Sequence, residues 1–216
     1  AGSAATAIRE AVDANCRVIN LSWGLNSASD ILGDAIAYAH QHQVLVVSAM
    51  PYQYRPGEYP NKLQDIGVMN VGASANTDQP ASYTISAPYI DVCAPGGNQE
   101  ASQAKDIYSL NAYGGYTWGA GTSMAAPHVT GAAALLYDYA TLVYPGLGTE
   151  AEDLRGIIRA TADDLTVPGF DPNTGYGRLN LRRMFEWDGY AGDISGVLTA
   201  TGGTDQGASA LYSMRI

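Results

Sequence analysis

The run from Val44 to Ala49 most constrains the fold, because it is almost wholly apolar over its whole length. A strand without polar alternation is buried on both faces, and such strands are typical of parallel sheets. Further apolar runs at Gly67 to Ala73 and Tyr89 to Cys93 alternate along the chain with segments of helical spacing such as Ala4 to Ala14. The pattern predicts an α/β fold of three layers, with a mostly parallel sheet and helices on both faces.

Composition excludes several classes of partner. The net charge of −10 argues against nucleic acid, because phosphate contact needs clustered Lys and Arg. No apolar stretch is as long as the about 20 residues that a helix needs to cross a bilayer, so we expect no membrane partner. Only 15% of the 216 residues are charged, which favours a secreted protein, extracellular or in the cell envelope. Cys16 and Cys93 lie beside apolar runs and are predicted to be buried free thiols.

The chemically informative stretch is residues 119–131, Gly-Ala-Gly-Thr-Ser-Met-Ala-Ala-Pro-His-Val-Thr-Gly. It places Ser123 just before a helix predicted from Met124 to about Tyr139, and glycines before the serine let a substrate backbone approach. The first turn of that helix offers unpaired N–H groups and the positive end of the helix dipole, both suited to an oxyanion. Pro127 is expected in this first turn, where its missing N–H is tolerated best.

The stretch from Gly121 to Val129 resembles the serine signature of the subtilisin-like serine proteases, the subtilase family, at nearly every position. A serine that merely caps a buried helix explains a shorter motif, but not the whole run. Three further segments resemble elements of the family in the same order: Val18–Gly24, Ile90–Gly96 and Gly175–Asn180. The resemblance over residues 1–187 implies the C-terminal portion of the catalytic domain, incomplete because the N-terminal part is absent. Residues 188–216, rich in Gly, Ala and Thr, are expected to form an extension or linker.

The resemblance implies the role of each candidate site residue in an endopeptidase. Ser123 is the catalytic nucleophile that forms an acyl-enzyme, and its N–H supports the oxyanion together with Thr122. Tyr52 falls where the family carries an oxyanion asparagine, so it is either a further oxyanion donor or an aromatic wall of the substrate pocket. The predicted substrate-binding residues are Ser22, Trp23 and Gly24, which pair with the peptide backbone, and Tyr59 at the first specificity pocket.

The base and its orienting carboxylate are not recognisable in the sequence. No Asp-x-Gly segment follows an apolar strand near its start, and no His-Gly-Thr-His-like run occurs. His128 lies five residues beyond Ser123 on the same helix and does not face it, while His40 and His42 are expected to be solvated at a helix end.

Two hypotheses fit these observations. The chain is the C-terminal piece of a longer protease, whose N-terminal segment supplies the triad histidine and aspartate. Alternatively, it is a catalytically inactive subtilase-like module that binds peptides or serves a structural role. The intact serine signature favours the first hypothesis, and the altered oxyanion segment favours the second. The partners expected under the first are a peptide or protein substrate and a complementary N-terminal segment, without which a central strand becomes an exposed edge.

A structural calcium ion is a further expectation from the resemblance, and no metal ligand is assigned. The candidate oxygen ligands lie in a turn-rich stretch: Asp163, Asp164, Asp171 and Asn173. Their spacing matches no ion loop, so an acidic surface turn is the preferred interpretation. Just before this stretch, Thr149 and Glu152 are predicted to form a capping box that opens a helix.

Overall fold

The computed structural model describes residues 1–25, 27–52, 60–99, 105–143 and 149–186. Tyr59 and residues 188–216 lie outside the described residues, so the predictions made for them remain untested. The strands are β1 (Val18–Leu21), β2 (Leu45–Ala49), β3 (Val68–Ser74), β4 (Val92–Pro95), β5 (Ile107–Leu110) and β6 (Tyr116–Gly119). The helices are α1 (Gly2–Asp13), α2 (Asp30–Gln41), α3 (Thr122–Val143), α4 (Ala151–Ala160) and α5 (Leu181–Glu186), with a 3₁₀ helix at Asn61–Ile66.

The first four strands form the predicted parallel sheet, in the order β1-β2-β3-β4. Along β2 and the residue before it, Val44, successive side chains point to opposite faces of the sheet. Val44 and Val46 join α1 and α2 in one core cluster. Leu45 and Val47 join α3 and α4 in a second cluster on the other face. The three-layer α/β architecture is therefore confirmed.

α3 packs so closely on the sheet because its inner face carries small residues. Ala125, Ala126, Ala132 and Ala133 are fully or almost fully buried against β2, β3 and β4. None of the described helices has the length and apolar content needed to cross a bilayer.

Two helix starts differ from the sequence predictions. α3 begins at Thr122 rather than Met124, so Pro127 falls in its second turn and not in the first. α4 is capped one residue later than predicted, because the Glu150 N–H donates to the Asp153 carboxylate at 3.2 Å. Asp153 is the third residue of α4 and can therefore reach back to the residue that precedes the helix.

The residues before α3 form a hairpin that the sequence analysis did not predict. β5 and β6 are antiparallel, with Tyr108 opposite Trp118 and Leu110 opposite Tyr116. Opposed residues of an antiparallel pair share a face, so these four large side chains lie together, and all are exposed. The alternation of large and polar residues at 108–110 and 116–118 is the signal that could have found this hairpin, although each run is only three residues long.

A buried ionic cluster ties α4 to the amino end of β4. The Asp91 carboxylate, 1% exposed, accepts from Arg155 Nε at 3.0 Å, from Arg159 and from the Asn70 N–H at 2.5 Å. Burial alone would raise the pKa of Asp91, but the charges of Arg155 and Arg159 and these hydrogen bonds outweigh it and hold the pKa below its ordinary value. The cluster anchors α4 against the sheet through charges that are all partnered.

The cysteine prediction is half right. Both thiols are free, and Cys93 in β4 is buried, which raises the pKa of its thiol to about 12. Cys16, however, is exposed in the turn between α1 and β1, because the apolar run beside it begins only at Val18.

Candidate active site

Ser123 is the second residue of α3, and its hydroxyl lies against the segment that follows β1. The Ser123 Oγ donates to the Ser22 carbonyl at 3.2 Å, and the Ser22 Oγ donates to the Ser123 carbonyl at 2.9 Å. The two serines thus hold each other across 101 positions of sequence. This reciprocal contact brings the predicted nucleophile beside Ser22, the first residue of the predicted substrate-binding segment.

The start of α3 offers main-chain donors beside the serine. The Gly121 carbonyl accepts from the N–H groups of Met124 and Ala125. The N–H groups of Thr122 and Ser123 precede any intrahelical acceptor, as at the start of every α-helix. Gly121 has φ +151°, and a Cβ there would collide with the Tyr52 hydroxyl, so the tight turn before the serine requires glycine.

The two side chains predicted to assist the oxyanion are placed differently. Thr122 is buried, and its hydroxyl donates to the Met50 carbonyl at 2.5 Å, so its single proton is committed inside the fold. Tyr52 is 50% exposed, lies beside Gly121 and packs edge-to-face on Tyr83. Tyr83 donates to the Gly96 and Gly97 carbonyls, and burial raises its pKa, so it stays neutral. The Thr122 proton is therefore committed inside the fold, whereas Tyr52 lies half-exposed beside Gly121, and the oxyanion roles of both residues remain predictions.

None of the three histidines is hydrogen bonded to Ser123. His128 Nδ1 contacts the Met124 carbonyl at 2.8 Å, one turn back along α3, and His42 Nδ1 contacts the Tyr38 carbonyl at 2.8 Å. His40 is less solvated than predicted, since it packs against Gly67 with Nδ1 4.0 Å from the Glu152 carboxylate. These contacts agree with the interpretation of His40 and His42 as helix-end residues and of His128 as a residue that does not face Ser123.

A cleft of about 470 Å³ opens beside Ser123, between the β5–β6 hairpin and the outer side of α3. Its walls on the α3 side are Ser123, Met124, Pro127 and His128. Gly119 keeps the cleft open at the hairpin end, since a Cβ there would lie 3.0 Å from the Met124 methyl. The serine hydroxyl is thus reachable from outside the fold.

The predicted substrate-binding segment is accessible on the same side. Trp23 and Gly24 are exposed, while Ser22 is half-buried against Ser123. β1, which precedes them, lies at the edge of the described sheet, paired only with β2. An added peptide strand would pair with the main chain of Trp23 and Gly24, and this pairing remains a prediction.

The acidic residues that were weighed as oxygen ligands for calcium are engaged within the chain. Asp163 accepts from Arg178 and Asn180, and Asp171 accepts from Thr166 and Thr174. Asp164 accepts from the Gly169 N–H. The described part of the chain holds no group of three or more His, Cys, Asp or Glu side chains arranged for a metal ion.

A serine in the N-terminal turn of a small-residue helix, packed on a parallel sheet at the edge of the described residues, places the chain among α/β proteins with a candidate nucleophile at a helix start. The particular family follows from comparison with known proteins. The family model of the subtilases matches residues 1–177. The chain belongs to the subtilase family.

Two similar proteins carry names that identify them as proteases. The chain is 34% identical over 181 residues to a thermophilic serine proteinase of Bacillus sp. (strain AK1), which covers 82% of this chain and 39% of that protein. It is 37% identical over 135 residues to a thermostable alkaline protease of Halalkalibacterium halodurans, covering 62% of this chain and 35% of the relative. The chain thus spans less than half the length of these relatives.

Solved structures share the fold. A lanthipeptide protease superposes with a TM-score of 0.73 at 26% identity, over 84% of this chain and 64% of the other. Fervidolysin from Fervidobacterium pennivorans, a keratinolytic enzyme related to subtilisin, superposes with a TM-score of 0.68 at 27% identity, over 84% of this chain and 28% of the other. The described sheet and helices therefore form an incomplete subtilisin-like α/β fold.

Proposed function

We propose that this chain carries the nucleophile of a serine endopeptidase, with Ser123 forming the acyl-enzyme. The observation that carries the proposal is the placement of Ser123 in the first turn of α3, beside an accessible cleft and next to Ser22. In this proposal a peptide carbonyl attacked by the Ser123 Oγ becomes an oxyanion, which the N–H groups of Ser123 and Thr122 and the Tyr52 hydroxyl stabilise. The names of the relatives, all proteases, support the same activity.

The histidine and aspartate of the triad come, in this proposal, from a segment N-terminal to Ala1. A serine hydroxyl needs a base, and the present acceptor of the Ser123 proton is a backbone carbonyl, which cannot carry it away. The unpaired edge of β1 is the place where such a segment would add a strand, because it leaves backbone groups free beside the active serine. The greater length of the relatives supports this reading.

Peptides or proteins are the proposed substrates, held in extended form along Ser22, Trp23 and Gly24. The exposed Trp23 indole would contact one substrate side chain and narrow its subsite. The proposed location is extracellular or in the cell envelope, supported by relatives named as an extracellular serine protease and a cell wall-associated protease. Structural calcium remains a proposal without assigned ligands.

Labelling with a fluorophosphonate probe tests the proposal in the full-length gene product. A working protease is modified on Ser123, and Ser123→Ala abolishes both the label and peptide hydrolysis. Ser109→Ala is a matched control, because this exposed serine lines the same cleft and should leave labelling of Ser123 intact. Absence of label in the wild-type protein would overturn the catalytic assignment.

The alternative function is a catalytically inactive subtilase-like module that grips peptides through the Trp23 edge. Two observations favour it: Tyr52 stands where the family carries asparagine, and the Thr122 hydroxyl donates to the Met50 carbonyl. Peptide binding by an unlabelled wild-type protein, lost in Trp23→Ala, would support this module instead.

A test of the N-terminal segment uses residues 1–216 alone. The exposed edge of β1 should make this piece aggregate or unfold, and co-expression with the residues encoded before Ala1 should restore a soluble complex. A monomer with a cooperative thermal transition would contradict the need for that segment.

A further inference from the structure

We propose that Ser22, Asn20 and Thr130 form a positioning network for Ser123, in which the Ser22 hydroxyl replaces a helical hydrogen bond that Pro127 cannot make. The inference deepens the proposed function and rests on it. The sequence analysis assigned Ser22 to substrate binding alone, and it assigned no role to Asn20 or Thr130.

The network begins with a vacancy in the hydrogen bonding of α3. In an α-helix the carbonyl of residue i accepts from the N–H of residue i+4. For Ser123 that residue is Pro127, which has no N–H and whose ring crowds the carbonyl four residues before it. The Ser22 Oγ donates to this Ser123 carbonyl at 2.9 Å. A side chain from another part of the chain thereby satisfies the backbone of the nucleophile.

Asn20 fixes the direction of that bond. The Asn20 Nδ2 donates to the Ser22 Oγ at 2.9 Å. A hydroxyl has one proton, so a Ser22 oxygen that accepts from Asn20 directs its own proton to the Ser123 carbonyl. Asn20 lies in β1, two residues before Ser22, and its side chain shares the exposed edge with it.

Thr130 connects the network back to α3. Its Oγ1 donates to the Asn20 Oδ1 at 3.0 Å, sharing its proton with the Ala126 carbonyl, which is also 3.0 Å away. This contact orients the Asn20 amide, so that its Nδ2 faces Ser22. Two residues of α3, seven positions apart, are therefore joined to this segment: Thr130 to Asn20 in β1, and Ser123 to Ser22 directly after β1.

The network fixes Ser123 relative to the segment that is proposed to pair with the substrate. The Ser22 carbonyl also accepts from the Ser123 Oγ, so the carbonyl and the hydroxyl of Ser22 both contact the reacting residue. Ser22 is followed directly by Trp23 and Gly24, which present the proposed substrate-pairing backbone. Small displacements of a nucleophile cost large factors in rate, so the network should act on kcat rather than on substrate affinity.

A double-mutant cycle between Ser22 and Pro127 tests the network in the full-length gene product. Ser22→Ala should lower kcat about tenfold with KM nearly unchanged. In the Pro127→Ala background the restored N–H can donate to the Ser123 carbonyl, so Ser22→Ala should lower kcat by no more than about twofold. Ser22→Thr keeps the hydroxyl and should retain most of the wild-type kcat, and Ser3→Ala, an exposed serine in α1, should change nothing.

The outcomes separate this inference from the proposed function. Equal losses of kcat from Ser22→Ala in both backgrounds, or a change confined to KM, would overturn the positioning role. A wild-type protein that takes no fluorophosphonate label would overturn the proposed function, and with it the effect on kcat. In that case the thermal unfolding midpoints of the same four proteins still test whether the Ser22 hydroxyl replaces the missing helical donor. Non-additive shifts of the midpoint support this contact, and additive shifts overturn it.

Discussion

Polar groups at the two ends of the parallel sheet differ in their exposure to solvent. At the amino end of β4, Asp91 is buried, with Arg155, Arg159 and the Asn70 N–H as its partners. At the carboxyl end of β1, Ser22 and Ser123 are half-buried, and Asn20 beside them is exposed. The carboxylate of the first cluster is closed to solvent, and the second cluster lies next to an open cleft and the edge of the described sheet.

This difference shows what each end can contribute. A buried ion pair stabilises a fold only while every charge keeps its partner, since the desolvation cost is already incurred. Neutral hydroxyls and amides cost less to leave near solvent, and their hydrogen bonds can be exchanged when a substrate or a base arrives. We therefore expect substitutions at the Asp91 cluster to act on stability and substitutions near Ser123 to act on turnover.

Asp91→Asn gives the largest expected effect on stability. It leaves two guanidinium groups without their buried counter-charge, which typically costs about 3–5 kcal/mol. Denaturant unfolding of the full-length gene product should show this loss. The control is Arg182→Ala, whose pair with Glu186 lies on the surface and should contribute nothing measurable. Equal unfolding free energies for the two variants would contradict the distinction between the closed and the open end.

Tyr52→Phe gives the largest expected effect on turnover without a change in stability. If the hydroxyl supports the oxyanion, its loss should lower kcat by about 10²-fold and leave KM unchanged. Tyr113→Phe is the matched control, because Tyr113 is 99% exposed at the tip of the hairpin. An unchanged kcat in Tyr52→Phe would assign Tyr52 to the wall of the substrate pocket.

The sequence predicted the layered fold well because that fold depends on burial periodicity. β2 lies one residue inside its predicted bounds and is buried throughout. Ser29, a residue type that favours helix N-caps, precedes α2 and accepts from the Leu32 N–H at 3.3 Å. The start of α3 was missed by two residues, because the glycines before Ser123 suggested a loop where Gly121 already turns into the helix.

The contacts of the site were harder to predict, since they join residues far apart in sequence. Nothing near Ser22 indicated that its hydroxyl would meet the Ser123 carbonyl, although Pro127 is a visible signal that this carbonyl lacks a helical donor. Likewise, Asp91 was read only as part of a strand, and no local pattern pairs it with Arg155 and Arg159. Such pairings depend on how α4 docks on the sheet.

A variant that lacks one of the two arginines at Asp91 should unfold in acid at a higher pH than the wild-type protein. The pKa of Asp91 is lowered in the fold, so its contribution is fully present above the unfolded value of about 3.9 and is lost as pH falls through the folded value. Arg159→Gln removes one positive charge and should raise that folded pKa. Acid unfolding followed by circular dichroism should then begin at a higher pH than in the wild type. Arg182→Gln should leave the midpoint unchanged.

The smallest expected effect concerns the cap that holds α4 in place. Asp153→Ala removes the acceptor of the Glu150 N–H, and the loss of a helix cap typically costs about 1 kcal/mol. Asp153→Asn keeps an oxygen acceptor and should cost less.

The cap also tests whether the closed end behaves as one unit, because α4 delivers both arginines to Asp91. The unfolding cost of Asp153→Ala should shrink when Asp91→Asn is already present, since a helix that has lost its ionic anchor gains less from an ordered start. Additive costs in the double variant would show instead that the cap and the ionic cluster stabilise α4 independently, and the comparison would then rest on Asp91 and its arginines alone.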